Sequence, residues 1–314
     1  MTITFARMGV ALVFLCLCGK LADAQEPTLF VSARITPENS FTKGIEGPAV
    51  DVAGNLFAVN LKPGGTIGKL AVGAVKPVLF ATLPPESKVS GMRFGGAGEM
   101  YVADFKGHNI LVFEAGSTAA KVHFHSDQFN QPNDLAIAPD GTLYASDPKF
   151  SAGTGRIWKI SRQADGKVHG VIMASQRAMG TTNGLDVSAN GKILYVGEAS
   201  ASELWAYDIA GDKLSNERLL TKFQGGELDG LRLDSDGRIF ATRNGSGKVA
   251  VIAADGTIIR QIATLGANPS NLTFGGPDGK TVFVTQVQGG FIEAFRSDRP
   301  GREFCLQHAG ADCP

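Results

Sequence analysis

The chain has 314 residues, 43% of them apolar, with Lys plus Arg and Asp plus Glu balanced at 30 each and a formal net charge of +0. That length suits one large domain or two small ones with a full core, and the balanced charge offers no electrostatic footprint for nucleic acid or an anionic membrane surface. Glycine is abundant, at 40 residues, which favours many tight turns over long helices.

The chain opens with MTITFAR, carrying one Arg, and then MGVALVFLCLC, an apolar run of about eleven residues that is too short to span a bilayer. Ala22-Asp23-Ala24 gives a small-x-small cleavage signal before Gln25. This predicts a signal peptide over residues 1–24 and an exported chain, periplasmic or secreted. Leu17 stands ahead of Cys18 where a lipoprotein anchor wants a small residue, and no later stretch is long enough for a membrane helix. Cleavage leaves Cys305 and Cys313, which in an oxidising compartment could pair and pin the tail of residues 299–314.

TLFVSARI, residues 28–35, reads as a strand with no repeat of its own. From Glu46 onward the chain repeats itself six times. Each unit runs from a polar key position to a turn glycine: Glu46 to Gly54, Ser90 to Gly98, Asn133 to Gly141, Asn183 to Gly191, Asp229 to Gly237 and Ser270 to Gly279. The turn glycines recur at intervals of 42 to 50 residues. An alternating strand follows each turn (NLFAVN, EMYVAD, TLYASD, KILYVGE, RIFATR, KTVFVTQ), and most units add a third, such as RIWKISRQ or ELWAYDIA. Asp-Gly and Asn-Gly connections supply the positive φ that tight hairpins need. Two-residue alternation in units of this length, with almost no helical periodicity, predicts an all-β fold. The expected form is a six-bladed β-propeller with four-stranded antiparallel blades, over residues 25–298. Residues 28–35 are expected to join the last blade as its outer strand, after GFIEAFRS, closing the ring and covering an edge.

Blades related by rotation place equivalent residues in a ring. If the strand that opens each repeat is innermost, Glu46, Ser90, Asn133, Asn183, Asp229 and Ser270 line one mouth of the central channel. The ring then holds two carboxylates, two amides and two hydroxyls, with no Lys, Arg or large apolar side chain. Partly buried carboxylates are costly without a counter-charge. Oxygen donors without Cys or His suit a hard divalent cation, calcium first, with magnesium, manganese or zinc as alternatives. Asn or Asp ahead of a strand also caps turns through its own backbone. Four oxygen-bearing residues at equivalent places in one ring favour the metal.

In chain order, EGPAVDVAGNLF, NQPNDLAIAPDGTLYASDP, TNGLDVSANGKILYVGE, LDGLRLDSDGRIFATRNGSGKV and PSNLTFGGPDGKTVFVT resemble the successive blades of the regucalcin/gluconolactonase family. That family is also called senescence marker protein and includes luciferin-regenerating proteins. The resemblance spans residues 46–295 and implies one divalent metal in the central channel, held by Glu46, Asn183 and Asp229. It places Asn133 beside the metal, in contact with substrate or metal. It also implies lactone hydrolysis, with Asp229 as general base. Some sugar-lactonase members carry an Arg two residues before that Asn; here the position is Gln131, which puts an aldonolactone preference in doubt.

The expected activity is therefore metal-dependent opening of a lactone or similar carboxylic ester, a small-molecule substrate, with Asp229 as proton acceptor. Asn133, and after it Ser90, would orient the carbonyl or the oxyanion. Two other classes share the architecture. One is a non-catalytic propeller that binds a ligand or protein around a structural cation. The other is a synthase-like propeller of the strictosidine type, against which the Glu46, Asn183 and Asp229 trio argues. Asn60, Asp104, Asp147, Glu198 and Arg243 end the second strands and read as strand ends at solvent rather than as support for the ring. His123 and His125 alternate on KVHFH and are expected to face solvent or a neighbouring blade.

Overall fold

A computed structural model of the chain describes residues 27–308. The expected signal peptide over residues 1–24, and Cys313, lie outside the described residues. Within them the chain forms six four-stranded antiparallel sheets. Blades 1 to 5 each use four consecutive strands, over residues 46–82, 89–125, 135–172, 182–222 and 227–263. Blade 6 takes three strands from residues 269–296 and its outermost strand from Ala33–Arg34. Consecutive innermost strands touch, and the last touches the first, so the six-bladed propeller expected from the repeats closes into a ring.

The closing strand pairs Ala33 with Ala294 and Arg34 with Glu293. It is shorter than the residues 28–35 read from the sequence. Thr28 and Val31 pair across a turn in which Phe30 adopts φ 56°, and that segment is kept on the blade by the Phe30 N–H donating to the Arg296 carbonyl at 2.8 Å and the Arg296 N–H donating to the Thr28 carbonyl at 2.9 Å.

Two-residue alternation gives each sheet two apolar faces, and the buried side chains gather into six clusters, one at each interface between blades. Between blades 1 and 2, Phe57 and Ile67 meet Met92, Val102 and Phe113. At the ring seam, Ile45 and Leu56 of blade 1 meet Ile292 of blade 6. Each such side chain contributes about 1.5–3 kcal/mol when fully buried, so the seam is held by a core of its own as well as by the closing strand.

The innermost strands converge tightly on the axis. A Cβ on Gly47 would lie 2.0 Å from the Ser90 carbonyl oxygen, and one on Gly184 would lie 2.2 Å from that of Asp229. This explains why glycine so often follows the key position. In blades 3 and 6 that place is taken by Asp134 and Asn271, whose side chains fill the axis. The strand ladder is interrupted beside the key position in every blade but blade 3, a bulge that re-aims the side chains there.

The opposite mouth is sealed by a feature the sequence did not announce, a short helix, Arg302–Gln307. Buried Arg302 donates to Asp186 at 2.7 Å and to the Ile137 carbonyl at 3.0 Å. Glu303 lies 3.5 Å from Arg93 and 3.9 Å from Arg232, and each of those arginines pairs with Asp134 at 3.1 Å. A column of alternating charge thus runs from the helix up the axis. Cys305 in this helix is disulfide-bonded; the partner expected for it, Cys313, is outside the described residues. Among the described residues no helix is long and apolar enough to cross a membrane.

Candidate functional site

The key residues stand at or beside the starts of the innermost strands: Glu46 opens Glu46–Val50, Ser90 lies in Val89–Phe94, Asn183 in Thr182–Val187, Asp229 in Glu227–Leu233 and Ser270 in Pro269–Gly275. Asn133 immediately precedes the axial residue Asp134. Direct bonds join several of them. Asn183 Nδ2 donates to Asp229 Oδ1 at 3.0 Å. Asn271 Nδ2 donates to Glu46 Oε2 at 3.0 Å and reaches Asp134 Oδ2 at 3.4 Å. The Gly47 N–H also donates to Glu46. The side chains of Ser90 and Asn133 make no hydrogen bond to the protein among the described residues. Ser270 leaves the candidate set: its hydroxyl bonds the Ile45 carbonyl at 3.0 Å and Thr285 Oγ1 at 2.8 Å, tying blade 6 to blade 1.

Glu46 and Asp229 are partly exposed through the channel mouth, while protein packs around them on the remaining sides. Loss of hydration is the first cause of their high pKa values. Glu46 is raised to about 8 by burial, then by the charges of Asp229 and Asp134, against the pull of the Gly47 N–H and Asn271. Asp229 is raised to about 7 by burial, opposed by donors from Asn244 and Asn183 and reinforced by Asp134 and Glu227. Burial would raise Asp134 too, but Arg232 and Arg93 outweigh it and hold that carboxyl below its usual range. The axial arginines are therefore engaged one layer down, and the hydrogen-bond donors reaching Glu46 and Asp229 are amides, not cations.

This donor set fits a hard cation: two carboxylates short of counter-charge, flanked by amide oxygens. It is not an acid-rich or histidine site. Among the described residues no group of three or more His, Cys, Asp or Glu is placed to hold a metal, so the amides of Asn183 and Asn133 would have to complete the shell. An apolar cavity of about 510 Å³ between blades 6 and 1, beside Phe304 and His308, contains none of these residues.

Two sequence readings need correction or completion. Of the polar ends of the second strands, Asn60 stays partly exposed, but the other four do not face solvent. Asp104, Asp147, Glu198 and Arg243 are buried, because each organises a loop at the ring's end of the propeller. Asp147 accepts from the Asn130 and Gln131 N–H groups at 2.8 and 2.7 Å, fixing the approach to Asn133. Asp104 accepts from the Lys88 and Gly107 N–H groups at 3.0 Å each. Glu198 pairs with Arg177. Asn244, Asn271 and Asp134 were missed altogether. The first ends a second strand, and the other two occupy the place where glycine usually follows the key residue, a break in the repeat visible on close inspection. Both histidines lie on an outermost strand: His125 is exposed to solvent, as expected, and bonds Asn109 at 2.8 Å, while half-buried His123 packs edge-on against Tyr101 of its own blade at 4.9 Å.

The family model described as the SMP-30/Gluconolactonase/LRE-like region matches residues 33–288. A diisopropyl-fluorophosphatase of Loligo vulgaris is 26% identical over 291 residues, covering 83% of this chain and 92% of that protein. A gluconolactonase of Zymomonas mobilis is 25% identical over 302 residues, covering 85% of this chain and 82% of that protein. Among solved structures, the calcium-binding protein regucalcin of Agrobacterium tumefaciens has a TM-score of 0.72, covering 87% of this chain and 97% of that one at 19% identity, a likeness of fold.

Proposed function

The chain belongs to the SMP-30/gluconolactonase/LRE-like family, and on that premise we propose that it is a hydrolase that opens lactones or similar esters at the ring of Glu46, Asn133, Asn183 and Asp229. The observation that carries this reading is the pair of carboxylates, Glu46 and Asp229, half-buried among amides at a channel mouth, with no Lys or Arg paired to either among the described residues. The names of the relatives, lactonases and a fluorophosphatase, support hydrolysis as the reaction class.

Glu46, Asn183 and Asp229, with Asn133 beside them, would hold a divalent cation, calcium foremost, with magnesium, manganese or zinc as alternatives. When bound, the cation would keep both carboxylates ionised and polarise a substrate carbonyl. Asp229 then takes the proton of the attacking water. Asn183 and Asn244 hold its two carboxylate oxygens, one each. Asn133 Nδ2 and the Ser90 hydroxyl, both without a hydrogen-bond partner among the described residues, donate to the carbonyl oxygen as negative charge gathers there. Arg93 and Arg232 keep Asp134 ionised below the ring, so that it does not compete for the proton. Gln131, in place of the sugar-binding arginine, leaves the acyl part of the substrate broad, and the fluorophosphatase relative argues for phosphorus esters beside lactones in any assay. Export belongs to the proposal as well: MGVALVFLCLC and Ala22-Asp23-Ala24 read as a leader, which places the substrate in the periplasm or outside the cell.

Asp229→Ala tests the assignment. Its expected effect is a loss of about 10²–10⁴-fold in hydrolysis, the usual worth of a general base, together with weakened calcium binding. Full hydrolysis with full calcium affinity in that variant would overturn it. No turnover of any ester by the wild type, with calcium still bound and stabilising, would instead favour a binding propeller with a structural cation.

A further inference from the structure

We propose that Asn244, held in turn by Asn268, is a positioning residue that sets the Asp229 carboxylate for proton transfer; this rests on the role given to Asp229 above. Asp229 Oδ1 accepts from Asn183 at 3.0 Å, and Asp229 Oδ2 accepts from Asn244 Nδ2 at 2.9 Å. One donor on each oxygen fixes the plane of the carboxylate. Asn183 is itself a ring residue with an amide oxygen to offer a cation. Asn244 is not on the ring. It ends the strand Ile239–Asn244, opposite Glu227 in register, and approaches Asp229 from the side.

The amide of Asn244 is oriented by a second amide. Asn268 Nδ2 donates to Asn244 Oδ1 at 2.8 Å, so the NH₂ group of Asn244 faces Asp229. A flipped Asn244 would set oxygen against carboxylate and NH₂ against NH₂, two repulsions at once. Asn268 is anchored from the next blade. Its carbonyl accepts from the Val287 N–H at 3.1 Å, and the neighbouring Ala267 carbonyl accepts from the Gly245 and Gly247 N–H groups at 2.9 and 3.0 Å. The chain Asn268 to Asn244 to Asp229 therefore crosses from blade 6 to blade 5 and is clamped at its far end by backbone. Asn244 and Asn268 also border a cavity of about 550 Å³ shared with Ser200, Ser202 and Glu227. A proton acceptor displaced by about 1 Å loses on the order of 10²-fold in rate, which is the scale on which such a relay acts.

The test compares Asn244→Ala, Asn268→Ala, the double variant and Asp229→Ala with the wild type, by lactone kinetics, by the calcium-induced rise in Tm, and by crystal structures with calcium. Asn244→Ala is expected to lower kcat about 10–100-fold with KM within about threefold. Asn268→Ala is expected to lose less, and the double variant no more than Asn244→Ala alone, because both act through one carboxylate. The calcium-induced rise in Tm persists in all three asparagine variants. In the Asn268→Ala structure, Asn244 and Asp229 are rotated or take two conformers while Glu46 and Asn183 stay in place. Wild-type kcat in Asn244→Ala beside an inactive Asp229→Ala would overturn the relay while leaving the role of Asp229 intact. A raised KM at unchanged kcat would make Asn244 a substrate contact and overturn it equally, as would losses that multiply in the double variant or an unmoved Asp229 in the structure. Activity surviving in Asp229→Ala is the separate result that removes the reading on which the relay depends.

Discussion

Glu46 and Asp229 bind their protons more tightly in the metal-free folded chain than they do unfolded, with values of about 8 and about 7 against ordinary ones of 4.5 and 3.8. Between those limits the folded state carries the extra protons, so the pair's contribution to stability is present at low pH and is lost as pH rises toward 8. Two results follow. In chelator, Asp229→Asn is expected to stabilise the protein at pH 8 by about 1–3 kcal/mol, discounted for solvent at the channel mouth, and to do progressively less as pH falls toward the ordinary carboxylate range. Calcium, which needs both carboxylates ionised, is expected to bind more tightly as pH rises from 6 to 8 and to release protons as it binds near pH 7. Titration calorimetry in buffers of different ionisation enthalpy reads that release; calcium affinity that falls with pH would contradict it. At this scale the ring was legible because six repeats can be laid over one another, and a polar residue in each stands out. Ser270 shows the limit of that method: it occupies the right place, but its hydroxyl is bonded to the seam between blades. Asn244 was not legible because its value to Asp229 depends on a cross-strand register and on Asn268 from another blade, neither of which a repeat alignment contains.

Among the elements, the innermost strands and their turns were legible from two-residue alternation and from Asn-Gly and Asp-Gly pairs. The helix Arg302–Gln307 was not, since six residues are too few for a helical period to show. What fixes it is tertiary. Arg302 is 3% exposed and Asp186 1% exposed, and the two meet at 2.7 Å inside the channel. Arg302→Ala leaves the Asp186 carboxylate buried without its cation and is expected to cost about 3 kcal/mol in urea unfolding, more than a surface pair would. A change below about 1 kcal/mol would show that the helix merely rests on the channel. The buried loop-organising acids Asp104, Asp147 and Glu198 teach the same lesson. On a strand end the sequence looks like a solvent boundary, but in a propeller that boundary is roofed by loops whose N–H groups need acceptors.

For the molecule as a whole, six interfaces with six apolar clusters make a rigid ring, and rigidity is what a shared axial site requires of residues contributed by separate blades. Closure by Ala33–Arg34 removes the exposed edge that blade 6 would otherwise present. The ring brings Glu46, Asn133, Asn183 and Asp229 to one mouth although 183 positions separate the first from the last in the sequence. The charged column of Asp134, Arg93, Arg232 and Glu303 closes the channel below them, so ligands reach the ring from one side. The central claim is that this mouth hydrolyses esters with the help of a divalent cation. The most direct measurement is pH-stat hydrolysis of a lactone panel, with phosphorus esters alongside, by the chain from residue 25 onward. It is run with calcium, then with excess chelator, then with calcium restored. The account predicts turnover that disappears with the chelator and returns with calcium. Turnover indifferent to chelation, or no turnover of any ester while calcium still raises the Tm, would contradict it.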